Sequence, residues 1–340
     1  MAPHRRRPPR RDRRRVIVLL HPAPAYGAVE RYVESIARAL REETMLLHTG
    51  VEEFESLPVR TVQMEPSVAA LVRFLRSARP RLVHVTDLWP QALVAARLAR
   101  VPRVLVTHHT PELPRRDNAA GRLWQRLGWA TRPEVIYTSE SDRERDGRSP
   151  SHVVPLGIDV ERFASGRPVL SKPEGRPLIG NVARLAEQKD HRTLLRAAAL
   201  VPEADFVIAG EGQLRGELER AAGPNVRLLG PRSDIPDVLA SLDVFAFPSL
   251  YEGLCLAVLE AQAAGVPVVA TAVGGIKETV VQGETGLLVP TRDPEALASA
   301  IRRLLEHPDE AARLAAEARG RALERYSEER MVTGTLALYG

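Results

Sequence analysis

The sequence predicts an α/β protein made of two doubly wound parallel-sheet domains facing across a cleft, and three observations carry that prediction. From residue 16 onward, short runs rich in β-branched residues alternate with amphipathic helical stretches, as βαβ units around a parallel sheet require. The alternation breaks once, at 163–177 ("FASGRPVLSKPEGRP"), where Gly, Pro and Ser crowd together without a periodic apolar face, and then restarts. A length of 340 residues exceeds what one core organises and suits two domains of about 150 residues each.

The elements follow in order. Strands are expected at 16–20, 44–48, 60–64, 81–85, 103–107, 134–138 and 152–155 in the first series. In the second they are expected at 178–182, 205–209, 226–229, 243–247, 267–270 and 286–289. Helices lie between them, the clearest over 28–41, where Val29, Val33, Ile36, Ala37 and Leu40 recur at helical spacing. The expected division is a disordered Arg/Pro-rich arm at 1–15, a first domain at 16–165, a linker at 166–176 and a second domain at 177–340. The final helix is a candidate to cross back to the first domain.

Composition removes several classes. With 44% hydrophobic and 27% charged residues the chain is an ordinary globular protein. No apolar run reaches the roughly 18 residues of a membrane span. Cys255 is the single cysteine, so no intramolecular disulfide forms, no zinc spacing exists, and a reducing cytoplasm fits. The net charge of +5 is located in the arm, because residues 1–15 hold eight Arg and one Asp and the rest carries −2. Without interleaved aromatics the arm reads as solvated chain, and no nucleic-acid partner is expected. Only Lys172, Lys189 and Lys277 are lysines among 48 basic residues, which makes Lys189 conspicuous where a compact charge could meet phosphate.

Doubly wound sheets bind ligands beyond the carboxyl ends of their strands, so residues that follow strands are the candidates. Gly27 and Ala28 form a small-residue turn at a helix start, suited to an anion, and match neither a GxGxxG nor a P-loop pattern. His108 and His109 end the fifth strand, and alternation allows at most one into the cleft. Arg184 and Lys189 flank a helix start after the first strand of the second domain, as a diphosphate site would. Glu211 lies between two glycines in the next turn, while Gly230 and Arg232 end the strand at 226–229. In "YEGLCLAVLEAQAAG", Glu252 and Glu260 punctuate an apolar run, and a buried carboxylate demands a donor such as a sugar hydroxyl or a cation. Between them the amides of Gly253, Leu254, Cys255 and Leu256 form a helix N-terminus suited to phosphate.

On these residues the chain resembles the retaining GT-B glycosyltransferases of family 4, from about residue 16 to the end. "YEGLCLAVLEAQAAGVPVVATAVGGIKETV" is similar to that family's E-x7-E motif with its Pro-Val and Gly-Gly-x-x-Glu elements. "VARLAEQKD", "VVPLGIDVERF" and "GAVER" resemble its diphosphate loop, its domain-closing segment and its first phosphate loop, the last with Ala28 in place of a second glycine. The resemblance implies a GT-B fold of two Rossmann-like domains, the first for an acceptor and the second for a nucleotide-sugar. It implies that Glu252 binds the donor sugar, Glu260 the ribose, and Arg184 and Lys189 the diphosphate. The cleft histidine aligns with His109, with His108 as second choice. The implied reaction is transfer to a hydroxyl acceptor with retention, UDP-sugar first and GDP-sugar second, with no cofactor and no metal. The absence of any Asp-x-Asp agrees with the last point.

The stretch "PRRDNAAGRLWQRLGWATRP" (114–133) sets five Arg beside Leu123, Trp124, Leu127 and Trp129 and is a candidate for peripheral contact with an anionic membrane. The chain is expected in the cytoplasm, with the inner face of the membrane as a candidate location. Rival readings are a GT-B-like sugar-nucleotide epimerase and a non-catalytic two-domain sugar-binding protein. Neither accounts for E-x7-E beside an Arg/Lys diphosphate site.

Overall fold

The computed structural model describes residues 16–22, 28–40, 44–64, 67–109, 119–172 and 175–340. Among them, thirteen strands form two sheets, and all strand pairs run parallel. The first sheet contains β1 (Ile17–His21), β2 (Thr44–His48), β3 (Arg60–Gln63), β4 (Leu82–Val85), β5 (Arg103–His108), β6 (Glu134–Tyr137) and β7 (Ser151–Val153). Its order is β3-β2-β1-β4-β5-β6-β7. The second contains β8 (Leu178–Val182), β9 (Asp205–Ala209), β10 (Val226–Gly230), β11 (Val244–Phe247), β12 (Val268–Thr271) and β13 (Leu287–Val289), in the order β10-β9-β8-β11-β12-β13.

The near-continuous apolar strands follow from helices on both sheet faces, which leave no solvated side. Side chains on β1 alternate accordingly. Ile17 and Leu19 enter a central core with Val33 and Ile36 of the helix Ala28–Leu40, while Val18 and Leu20 enter an outer one with Leu71 and Leu75. In β11, Phe245 and Phe247 point to the central core and Val244 and Ala246 to a separate outer core. Each such Leu or Phe contributes about 1.5–3 kcal/mol by its burial. The central core continues from one domain into the other through Val154, Ile158, Phe163, Tyr326, Met331 and Tyr339.

Both sheets reverse direction of winding once, between β1 and β4 and between β8 and β11. Loops diverge at such switch points and leave a crevice at the carboxyl ends of the strands. The second crevice is therefore bounded by the segment carrying Arg184 and Lys189 and by the segment carrying Glu252.

Most boundaries fall within one residue of the sequence expectation, and two shift by more. Phe163 and Ala164, assigned to the irregular stretch, belong to the short helix Val160–Ala164, and Phe163 is buried. The side chain of Asp159 accepts from Arg162 N at 3.0 Å, a cap that stabilises a helix start by about 1 kcal/mol. Strand β7 ends at Val153, because Pro155 interrupts a ladder that would otherwise need its N–H.

The chain passes between the domains twice at one place. Ile158 N donates to Tyr326 O at 2.8 Å and Glu328 N to Ile158 O at 2.9 Å, so the outgoing and returning segments are hydrogen-bonded side by side. After the helices Pro308–Arg325 and Glu328–Ala337, Tyr339 enters the first domain and its hydroxyl meets His84 Nδ1 at 2.6 Å. His84 Nε2 bonds Thr107 Oγ1 at 2.7 Å, and burial holds this imidazole down to about 3. Among the described residues no helix is long and apolar enough to cross a membrane.

Candidate active site

Strand β11 ends in an apolar-to-polar break, and the chain leaves it through Ser249, Tyr251, Glu252 and Gly253 before the helix Leu256–Ala263 begins. Three hydrogen bonds fix this loop. Thr271 Oγ1 donates to Ser249 O at 2.5 Å, Gln188 Nε2 donates to Tyr251 O at 2.8 Å, and Leu250 N donates to Gln188 O at 2.8 Å. Gln188 thereby staples the loop after β8 to the loop after β11, bringing Lys189 beside Glu252.

Glu252 is 7% exposed and already satisfied. Its Oε1 accepts from Lys189 Nζ at 2.5 Å and from Ser249 Oγ at 2.6 Å, and the ammonium also stands 5.0 Å from the Phe247 ring centroid. Behind it, Gly274 at φ +41° packs so tightly that a Cβ there would lie 1.8 Å from Glu252 O, so only glycine fits. The helix Leu256–Ala263 has Cys255 as N-cap without a side-chain hydrogen bond, which leaves its first-turn amides without intrahelical partners. The buried Cys255 thiol is pushed up to about 12, chiefly by burial and then by Glu252, and is no nucleophile at neutral pH.

Glu260, one helix face further on, points at the other domain. It accepts from Arg31 Nη1 at 3.2 Å, across 229 residues of sequence, and burial raises its pKa against the opposing pull of Arg31 and Arg162. The domains also meet at backbone distance, since a Cβ on Gly253 would lie 2.5 Å from His109 O. His109 itself is buried, and its Nε2 is 2.9 Å from Thr86 O. A carbonyl only accepts, so Nε2 carries the proton and Nδ1 holds a lone pair, buried with no partner among the described residues. Burial lowers the pKa of this ring, with Asp87 pulling the other way, so the ring is neutral at pH 7.

Residues 26–162 match the profile described as Glycosyltransferase Family 4, and residues 176–307 match that of Glycosyl transferases group 1. A GDP-mannose-dependent alpha-mannosyltransferase of Mycobacterium tuberculosis is 32% identical over 265 residues, covering 71% of this chain and 69% of that enzyme. The chain belongs to glycosyltransferase family 4. A D-inositol 3-phosphate glycosyltransferase of Corynebacterium urealyticum is 37% identical over 213 residues, which is 55% of this chain and 50% of that enzyme's length. Anabaena HepE in complex with UDP has the same fold, with a TM-score of 0.81 at 21% identity over 95% of this chain and 99% of that one.

The remaining residues singled out in the sequence divide into two groups in this glycosyltransferase. Arg184 is exposed in the loop after β8, close in sequence to Lys189. That loop is held by Leu185 N donating to Glu211 O at 2.9 Å and by Gly210, whose Cβ would lie 1.9 Å from Ala183 O. Glu211 thus serves the loop through its backbone, while its carboxylate is exposed and paired with Arg215 at 3.0 Å. Gly230 ends β10 at φ +75° and accepts from Gly210 N at 2.8 Å. Arg232 is exposed and bound to Asp234 two residues on. Local ion pairs, which form at these short spacings without tertiary help, hold both side chains at the surface. Leu254 and Cys255 are buried, and Leu256 is half-buried. Gly27 lies outside the described residues, as does the side chain of Ala28, the first residue of its helix.

His108 points away from His109, against Trp129 and Tyr137, with Nδ1 3.6 Å from Asp146. Several residues at the site escaped the sequence reading. Ser249 and Arg31 are the partners of the two glutamates. Asp142 is fully buried, its Oδ2 unpartnered among the described residues and 3.4 Å from where a Gly253 Cβ would be. Burial pushes this carboxyl up to about 6.

Proposed function

We propose that this glycosyltransferase transfers a sugar from a nucleotide diphosphate donor to a hydroxyl acceptor with retention of anomeric configuration and without a metal ion. The observation that carries the reading is the Lys189–Glu252–Ser249 cluster at the second switch point, facing the His109 backbone across the cleft. A sugar hydroxyl is a donor from which a buried carboxylate can accept, and Glu252 is proposed as that carboxylate. Glu260 is proposed to take the ribose hydroxyls, exchanging Arg31 for them as the nucleotide enters.

The chemistry proposed is electrostatic. As the bond from the anomeric carbon to the diphosphate breaks, negative charge grows on the leaving oxygen. Lys189 and the amides of Gly253, Leu254, Cys255 and Leu256 are proposed as fixed donors for that charge, with the exposed Arg184 closing on it as the donor binds, and preorganised donors of this kind lower a barrier by several kcal/mol. The leaving diphosphate takes the acceptor's proton on the face it departs from, which retains configuration. The neutral His109 offers its Nδ1 lone pair to a sugar or acceptor hydroxyl. A uridine base is the first choice and guanosine the second. The M. tuberculosis relative is GDP-mannose-dependent by name and the Anabaena structure holds UDP, which supports testing both.

Peripheral membrane contact is part of the proposal. On the helix Ala119–Ala130, Leu123 is 56% and Leu127 44% exposed, with the exposed Arg122 and Arg126 alongside them. Trp129 turns inward, where the Arg148 guanidinium lies 3.9 Å from its ring centroid, so the leucines and Trp124 form the contacting face. Residues 114–118 lie outside the described residues.

The deciding experiment is a thermal-shift screen of UDP- and GDP-sugars, followed by NMR assignment of the anomeric configuration of the product. An inverted product, or undiminished turnover in Glu252→Gln, would sink the mechanism.

A further inference from the structure

A second cleft lies where the two domains are joined, on none of the residues assigned to the donor. It has a volume of about 560 Å³, and Lys277, Arg321, Arg325 and Arg330 line it. These cations come from three elements that the fold converges here: the short helix Ile276–Thr279, the last two turns of Pro308–Arg325 and the first turn of Glu328–Ala337. Tyr326, buried in the turn between the last two, lines the cleft with Arg325 and Arg330.

The carboxylates in the lining do not answer this charge. Glu278 reaches out of its helix to the other domain, where its two oxygens accept from Glu140 N at 3.0 Å and Ser141 N at 2.8 Å. Glu140 is paired with Arg143 at 2.7 Å. The neighbouring Glu324, Glu328 and Glu329 line an adjoining cleft, which Arg330 also borders without forming an ion pair with them. Lys277, Arg325 and Arg330 have no carboxylate partner among the described residues. Arg321 donates to the Glu278 carbonyl at 3.2 Å and interacts with the Tyr326 hydroxyl, has no carboxylate partner, and its Nε is buried and unpartnered among the described residues. Four cations in a concave site with low-dielectric walls repel one another and concentrate anions. Val154, Pro155 and Met331 supply an apolar wall beside them.

We infer that this cleft binds a phosphate monoester carried on a small, partly apolar body. Guanidinium forks match phosphate oxygens two at a time, and a point-charge lysine adds to them. The site also touches the donor loop through one short segment. Gly274 and Gly275 press on the carbonyls of Glu252 and Gly253, and Lys277 and Glu278 follow directly in the chain. The cleft and the loop that carries Glu252 are therefore separated by one short, tightly packed segment.

The test is calorimetric titration of the full chain with phenyl phosphate, with UDP and GDP each present at saturation to occupy the proposed donor site. Wild type is expected to bind with Kd of about 1 mM or tighter. Arg325→Ala/Arg330→Ala is expected to weaken binding at least about tenfold, the scale of a lost charge-assisted hydrogen bond. Lys277→Ala is expected to weaken it less, and Lys189→Ala not at all. Equal affinity in wild type and the double Arg variant, loss in Lys189→Ala instead, or no heat at about 10 mM together with no Arg-dependent flotation of phosphatidate vesicles would overturn the inference. A parallel flotation with phosphatidate vesicles separates the sources. Binding of phenyl phosphate that depends on the two Arg identifies a soluble ligand, and Arg-dependent flotation without it identifies a lipid headgroup carrying the same group.

Discussion

Lys189 Nζ lies 2.5 Å from Glu252 Oε1, so the two charged side chains proposed to hold the donor hold each other first. They come from loops after different strands and are largely buried, at 14% and 8% side-chain exposure. Neither can be changed without altering the field at the other. Glu252→Gln keeps the size of the side chain and its hydrogen bond from Ser249 but removes the charge. Transfer is expected to fall by about 100-fold or more, the scale of losing a key electrostatic group, with nucleotide affinity nearly unchanged. Lys189→Ala is expected to lower both. Steady-state kinetics beside nucleotide titration separates the two outcomes, and a matched loss of affinity in Glu252→Gln would reassign its role.

The same pair governs stability. Removing one member of a buried ion pair leaves the other uncompensated and costs about 3–5 kcal/mol, whereas removing both costs much less. Lys189→Met should therefore destabilise more than Lys189→Met/Glu252→Gln. Urea denaturation of the single and double variants checks this, and strictly additive effects would show that the pair is energetically independent.

Two glycines separate folding from domain apposition. Gly274→Ala places a methyl 1.8 Å from Glu252 O at a φ of +41° and should lower the melting temperature outright. Gly253→Ala places one 2.5 Å from His109 O, which belongs to the other domain. It should leave unfolding nearly unchanged while reducing transfer at least about tenfold, because a small misplacement at the reacting centre is costly. Comparable losses of melting temperature in both variants would refute the distinction.

Most of the secondary structure was legible, and the reason is physical. Runs such as "RLVHV" and "DVFAF" are buried on both faces, so apolarity and strand length together mark them. Strand order was not legible, since pairing of β1 with β4 and of β8 with β11 depends on contacts remote in sequence. The same limit hid Arg31 from Glu260, 229 residues away, and Glu278 from the amides of Glu140 and Ser141. Glu211 and Arg232 both follow strands, and each pairs with a residue close enough in sequence to be legible there, Arg215 and Asp234. At 163 the Gly- and Pro-rich sequence that follows masks a short helix capped by Asp159.

Acid should weaken the fold through two histidines. Burial holds His84 down to about 3 and His191 to about 4, below their ordinary 6.5. A base with a depressed folded pKa stabilises the folded state above its unfolded pKa, and that contribution is lost as pH falls through 6.5 toward the folded value. At pH 5 each histidine accounts for about 2 kcal/mol of lost stability. His191→Gln should make the drop between pH 7.5 and pH 5 shallower by roughly that amount in denaturant melts. An identical drop in variant and wild type would exclude His191 as the sensor.

The contact between His84 and Tyr339 has a consequence for synthesis. The imidazole lies in the fourth strand to leave the ribosome, and its phenol follows 255 residues later. At about 5–20 residues per second, translation leaves that ring without its partner for on the order of 10–50 s. Any nascent first domain must tolerate an unfilled polar slot at its centre while the second is made. The amino-terminal sheet is thus the first to start folding and the last to be completed.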